Sequence, residues 1–176
     1  MCTILWIVNN AHCSRNFFIG LGIYIVTDLF AEINTLSVGT ENLSCATVFF
    51  YELSSLPCTI KRSLSERLNG SKTFVLIVGA NTKSLTKGAC RYCSSYNWGT
   101  CSRYYNVDNR SFIEYECEKA IKDNLKIVVI YNYANVDKSK CPDCIKYYGT
   151  HIPAYYYAND GKCYWNIARI KEAINW

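Results

Sequence analysis

Several residue types are scarce in this chain of 176 residues, and each shortage excludes a class of protein. The 9 glycines and 3 prolines are too few for collagen-like repeats or a low-complexity linker. Charged residues make up 19% of the chain and hydrophobic residues 50%, which excludes an intrinsically disordered protein. The length suits one hydrophobic core. We therefore expect a single folded domain over residues 1–176.

Long apolar runs and one-sided charge are also missing. The most apolar stretch, residues 17–26, is about half of the ~20 residues that a helix needs to cross a bilayer. The net charge is +5, and the basic residues are scattered among carboxylates instead of forming a run. The sequence therefore predicts neither a membrane nor a nucleic acid as partner.

Cysteine, in contrast, is abundant, with 11 residues. Residues 1–10 lack the basic segment of a secretory signal, and two asparagines interrupt their apolar run. We therefore expect a cytoplasmic protein with reduced thiols, not a disulfide framework.

Two C-x-x-C pairs are the candidate metal ligands: Cys90 with Cys93, and Cys141 with Cys144. Four thiolates can close a tetrahedral zinc site. Residues 94–140 separate the pairs, however, which is unlike the compact spacing of zinc modules. The alternative is that all four are small reduced residues in loops.

Patterns typical of strands and helices alternate along the chain. Strands are predicted over residues 3–8, 47–51, 73–78, 125–131 and 152–157. Helices are predicted over residues 14–36, 59–68, 111–124 and 162–175. Because crossovers between parallel strands are right-handed, this order predicts a doubly wound α/β domain with a mainly parallel, five-stranded, flavodoxin-like sheet. Residues 87–110, rich in Cys and Tyr, have no clear periodicity and predict an inserted loop.

The helix predicted over residues 59–68 has a clear apolar face. Ile60, Leu64 and Leu68 share that face. The remaining long polar side chains are predicted to lie outside, in solvent: Lys61, Arg62, Glu66 and Arg67.

Ligands of doubly wound sheets bind at the carboxyl ends of the strands. The loop over residues 9–13 lacks the glycines or the Lys-Ser/Thr pair of a phosphate cradle. The strand over residues 73–78 is followed by Gly79, Ala80 and Asn81, without the acceptor Asp of a phosphoacceptor receiver. The sequence therefore disfavours two common functions of this fold, namely phosphate binding after the first strand and signalling as a phosphoacceptor receiver.

Three glutamates, Glu114, Glu116 and Glu118, lie on the helix predicted over residues 111–124. Glu116 is rotated about 200° from the other two, and its neighbours at helical spacing, Phe112 and Ala120, are apolar. A partly desolvated carboxylate at the edge of a packed face can stabilise a developing cation. The alternative is a solvated carboxylate that interacts with the helix dipole.

The two histidines, His12 and His151, have no accompanying serine motif. A hydrolase with a Ser-His-Asp or Cys-His arrangement therefore has little support. We expect both side chains to be structural.

Three segments, residues 60–68, 71–83 and 112–121, together with residues 126–131, resemble a known family in their order and spacing. The family is the TIR-like domains of Thoeris antiphage systems, relatives of Toll/interleukin receptor domains. The resemblance covers residues 58–131. It implies that the domain binds NAD and cleaves its nicotinamide–ribose bond, often to make a cyclic ADP-ribose-type signal that activates a separate effector in antiviral defence. It also implies possible self-association.

The resemblance also implies site residues. Phe112 occupies the place of an aromatic residue, Glu116 that of the catalytic glutamate, and Asn81 is a further candidate for contact with NAD. The family usually has Trp where Phe112 stands, and the insertion over residues 87–110 enlarges the loop before the helix.

A function of a different class remains open. The chain is then a non-catalytic, flavodoxin-like interaction module that binds a protein partner. The surface would be the tyrosines of the insertion: Tyr92, Tyr96, Tyr104 and Tyr105.

Overall fold

A computed structural model of the chain describes the backbone of Thr3–Ile7 and residues 56–174. The strands are β1 (Thr3–Ile7), β2 (Thr73–Val78), β3 (Tyr96–Asn97), β4 (Thr100–Cys101), β5 (Lys126–Tyr131), β6 (Thr150–Pro153), β7 (Tyr155–Tyr157) and β8 (Cys163–Trp165). The α-helices are α1 (Pro57–Asn69), α2 (Phe112–Lys122) and α3 (Ile167–Ile174). The helix predicted over residues 14–36 and the strand predicted over residues 47–51 lie outside the described residues.

Four strands form one parallel sheet in the order β1-β2-β5-β6. All six residues of β2 are buried, as expected of a central strand with both faces covered. The mixed α/β prediction with a parallel sheet is confirmed for the described part of the chain.

The core has two parts because successive side chains of a strand point to opposite faces of the sheet. On one face, Phe74 and Leu76 pack with side chains of α1 and α2. On the other, Val75 and Ile77 pack with Ile170 of α3. The described helices therefore cover the sheet from both sides. None of them is both long and apolar enough to span a bilayer.

The start of each of the first two helices follows from local sequence. α1 begins at Pro57, whose fixed φ and missing N–H suit the first turn of a helix. α2 begins with a capping box, in which Ser111 Oγ accepts from the backbone N–H of Glu114 and the Glu114 carboxylate accepts from that of Ser111. The predicted helices over residues 59–68 and 111–124 are confirmed.

The predictions for the C-terminal part were wrong in detail. The strand predicted over residues 152–157 is divided into β6, which extends the parallel sheet, and β7, which pairs antiparallel with β8. Tyr155 and Trp165 stack across that hairpin with ring centroids 4.4 Å apart. The helix predicted over residues 162–175 includes the residues of β8, but α3 begins only at Ile167. The cross-strand aromatic pairing outweighed the weak helical pattern.

The insertion over residues 87–110 contains a two-stranded antiparallel hairpin, β3-β4, and a 3-10 turn at Cys90–Tyr92. Its two ends are joined by backbone hydrogen bonds. The N–H of Phe112 donates to the carbonyl of Lys87 (2.9 Å), and the N–H of Cys90 donates to that of Asp108 (3.0 Å). The insertion is therefore closed at its base, next to the first turn of α2.

Gly149, which precedes β6, packs closely against Ile127 of β5. Its substitution tests how much this contact contributes to stability. Its φ is +77°, and a Cβ there would lie 2.3 Å from the carbonyl oxygen of Ile127. We expect Gly149→Ala to lower the free energy of unfolding by about 3 kcal/mol in a urea titration.

Gly161 is the matched control because its φ is also +77° but no atom of the described residues lies within 4 Å of its Cβ position. Gly161→Ala should cost about 1 kcal/mol, from backbone strain alone. Equal losses in the two variants would contradict the packing described for Gly149.

Candidate functional site

The first turns of α2 lie at the carboxyl edge of the parallel sheet. β2 ends at Val78, and the chain returns to that sheet at Lys126, the start of β5. A helix that connects two parallel strands runs antiparallel to them, so α2 begins at the edge where the strands end. This is the edge at which doubly wound sheets bind ligands.

Glu116 is buried in the second turn of α2, with 1% of its surface exposed, whereas Glu114 and Glu118 are exposed. The predicted separation of Glu116 from the other two glutamates is confirmed, and its burial is complete instead of partial. Next to it, burial raises the pKa of the Cys117 thiol well above its usual value, with Cys144 and the charge of Glu116 contributing.

Phe112 lies one turn before Glu116 on the same buried face of α2. The insertion packs against it at Gly88, whose φ is +105°. A Cβ at Gly88 would lie 2.6 Å from the Phe112 ring and 2.8 Å from its backbone nitrogen. Only glycine permits this approach, so the first turn of the insertion covers the start of α2.

Asn81, the third residue implied by the resemblance, is exposed in the loop after β2. Its carbonyl accepts hydrogen bonds from the N–H and hydroxyl of Ser84 (3.0 and 2.9 Å). The structure thus brings Phe112 and Glu116 together on one helix face and leaves Asn81 exposed at the same edge of the sheet.

Lys61 of α1 was predicted to lie in solvent, and this prediction was wrong, since the residue is 4% exposed. Its ammonium donates to the carbonyls of Asp108 (2.9 Å) and Arg110 (2.7 Å) and lies 3.3 Å from the Asp108 carboxylate. Because three oxygens replace water around the charge, it can be buried. Lys61 therefore fastens the end of the insertion to α1.

Arg110 fastens the same segment to α2. Its guanidinium contacts the carboxylates of Asp108 and Glu118, each at 2.6 Å, and lies 4.9 Å from the centroid of the Tyr115 ring. Burial alone would raise the pKa of Asp108, but the hydrogen bonds from Arg110 and the charges of Lys61 and Arg110 lower it to about 2. We call Lys61, Asp108, Arg110 and Glu118 the clamp.

The clamp should weaken in acid. The pKa of Asp108 falls from 3.8 to about 2 on folding, so its stabilising effect is complete above pH 4 and is lost as the pH falls toward 2. In urea titrations over this range, Asp108→Asn should reduce the dependence of the unfolding free energy on pH. An unchanged dependence would mean that the carboxylate is not held as described.

Among the described residues, the four candidate metal ligands, Cys90, Cys93, Cys141 and Cys144, do not form one cluster. Cys90 and Cys93 line a mostly apolar cleft of about 280 Å³, counting space open to solvent, together with Cys58 and Cys101. Cys141 and Cys144 do not line this cleft, because Cys141 lies in the core that packs against α1 and α2 and Cys144 packs against that core. Over the part of the chain that the structure describes, no three Cys, His, Asp or Glu side chains are arranged to hold a metal ion. Glu116 does not line the cysteine cleft.

His151 has the contacts of a structural residue, as predicted. Its Nδ1 lies 2.8 Å from the hydroxyl of Tyr131 and its Nε2 3.1 Å from the carbonyl of Tyr148. Burial and the charge of Lys138 lower its pKa, which favours the neutral imidazole. His12 lies outside the described residues.

Comparison with known proteins places the chain in no family. No family model matches it, and no curated protein matches it. We therefore base its function on the site around α2 and on the resemblance of its segments.

Proposed function

We propose that this chain is a TIR-like enzyme that binds NAD and cleaves the bond between nicotinamide and ribose. The observation that carries the proposal is the buried glutamate Glu116, one turn after Phe112 and separate from the exposed Glu114 and Glu118. It lies near the edge where sheets of this kind bind nucleotides. The resemblance of residues 58–131 to TIR-like domains supports the same assignment.

The chemistry requires one well-placed carboxylate. When the glycosidic bond breaks, its electron pair goes to the nicotinamide nitrogen, which leaves neutral, and positive charge develops on the ribose. Glu116 would accept hydrogen bonds from the ribose hydroxyls and stabilise that charge. Water then gives ADP-ribose, or the adenine of the same molecule gives a cyclic product, which would signal to a separate effector in antiviral defence.

Because Glu116 is buried, the proposed activity requires that the site open before NAD binds. At 1% exposure a ribose cannot reach the carboxylate, so side chains that cover it must move before NAD binds. The insertion is the candidate because Gly88 packs against Phe112 and the clamp holds residues 108–110 to both α1 and α2. We propose that displacement of the insertion opens the site.

The direct test is incubation of the purified chain with NAD, with nicotinamide measured by chromatography. We expect release to rise when the chain is forced to self-associate, for example by fusion to a dimerising tag. If neither the free nor the associated protein releases nicotinamide, the proposal is wrong.

A second candidate, a non-catalytic interaction module, is favoured by the exposed aromatic side chains of the insertion, above all Tyr104 at 98% exposure. In that case binding of a partner should depend on the insertion and remain unchanged in Glu116→Ala.

A further inference from the structure

The outer part of the insertion presents aromatic side chains to solvent. Trp98 is 97% exposed and Tyr104 98%, and Tyr92 and Tyr105 are also exposed. We call these four residues the insertion tip. Rings of this size normally gain stability by burial, so four of them exposed within one short segment favour a binding surface.

At Trp98 and Tyr104 the backbone has a conformation that is energetically unfavourable for residues with a bulky side chain. Trp98 and Gly99 are the central residues of the turn between β3 and β4, with φ of 42° and 88°, and Tyr104 has φ of 61°. Such a two-residue turn favours Asn or Gly at its first position, because a bulky L-residue is strained at positive φ. Strain that is retained at a solvent-exposed Trp points to a use for the ring in that position.

Before Asp108, which is paired in the clamp, the charged residues of the insertion are all positive. Residues 87–107 contain three cations, Lys87, Arg91 and Arg103, and no carboxylate. All three are exposed, and the Arg91 guanidinium lies 5.0 Å from the centroid of the Tyr92 ring. The surface is therefore aromatic and positive, and it complements a negative surface.

We propose that the insertion tip binds the surface of an anionic lipid membrane. Trp98 and Tyr104 would enter the headgroup region, where the amphipathic rings of Trp and Tyr are preferentially found. Arg91 and Arg103, which lie beyond the base of the insertion, would attract anionic lipids. Binding of this kind needs no spanning helix, and the proposal differs in this respect from the sequence-based expectation that a membrane is not a partner. It does not depend on the NAD activity.

Two other partners, a single-stranded nucleic acid and a protein, fit the insertion tip less well than a membrane does. A single strand of nucleic acid binds along a charged groove whose aromatic rings stack on successive bases. The rings of Trp98 and Tyr104 are 97% and 98% exposed, which is unlike rings that line a groove. A protein surface of mixed charge would not account for the lack of carboxylates over residues 87–107, whereas a uniformly negative membrane does.

The test is sedimentation of the full chain, in reducing buffer, with vesicles of phosphatidylcholine alone and of an equimolar mixture of phosphatidylcholine and phosphatidylserine. We expect binding to the mixed vesicles only, and weaker binding at high salt. Trp98→Asn should reduce binding about tenfold, because it removes the ring. It also creates the Asn-Gly pair that this turn prefers, so loss of the hairpin cannot explain the result.

Tyr157→Ala is the matched control, since Tyr157 is an exposed aromatic residue on β7, outside the insertion. It should bind like the wild type. The proposal is overturned if the mixed vesicles are not bound, if Trp98→Asn binds as well as the wild type, or if the control loses as much. Tip-dependent capture of a single-stranded oligonucleotide or a protein, without vesicle binding, would also overturn it.

Discussion

Glu116→Gln should lower the release of nicotinamide from NAD by at least about 100-fold, because the amide keeps the volume of the side chain and removes the charge that faces the developing cation. The measurement is the initial rate of nicotinamide formation at saturating NAD, under the condition in which the wild type is most active. The melting temperature of the variant should stay close to that of the wild type, which shows that the fold is retained.

Glu66→Gln is the matched control for that experiment. It makes the same substitution on α1, outside the clamp, at an exposed position whose ion pair with Arg62 contributes little to stability. Its rate should stay close to that of the wild type. If the two variants lose equal activity, or if Glu116→Gln stays active, the assignment of Glu116 is wrong.

Lys61→Met should lower the free energy of unfolding by about 3 kcal/mol, although the new side chain has a similar length and packs well. The substitution leaves the carbonyls of Asp108 and Arg110 and the Asp108 carboxylate without the ammonium. The loss stays at the lower end of the range for a broken buried ion pair because Arg110 still contacts Asp108. Urea titration measures the change.

Arg62→Met tests the neighbouring residue of the same helix. Arg62 pairs with Glu66 in solvent, so its loss should cost about 0.5 kcal/mol or less. Hydrogen exchange should also rise over the insertion in Lys61→Met and not in Arg62→Met.

If the insertion limits access to Glu116, Lys61→Met should release nicotinamide faster than the wild type. A slower rate, with the fold intact, would contradict a covering role.

The prediction that Lys61 lies in solvent was wrong because the helical period and the charge of this residue indicate opposite positions. Lys61, Leu64 and Leu68 are the buried residues of α1, at spacings of three and four that are typical of one helix face. The helical period therefore did place Lys61 on the inner side, but its charge favoured the opposite prediction. A buried ammonium is stable only with oxygen partners, and these lie 47 and 49 residues away in the chain.

Local patterns determined the main elements of the described chain. The buried run of β2 predicted a central parallel strand, and the period of α2 predicted that Glu116 lies apart from Glu114 and Glu118. Side-chain periodicity is a property of the backbone geometry, so it can be read from neighbouring residues alone.

Only the tertiary structure decided which distant residues meet. It buried Glu116 completely, fastened the insertion to α1 and α2 through the clamp, and divided the two C-x-x-C pairs between separate surroundings. These outcomes depend on contacts between residues far apart in the chain, which no local spacing encodes. The same contacts left the ring of Trp98 in solvent, although an aromatic side chain of that size is more often buried.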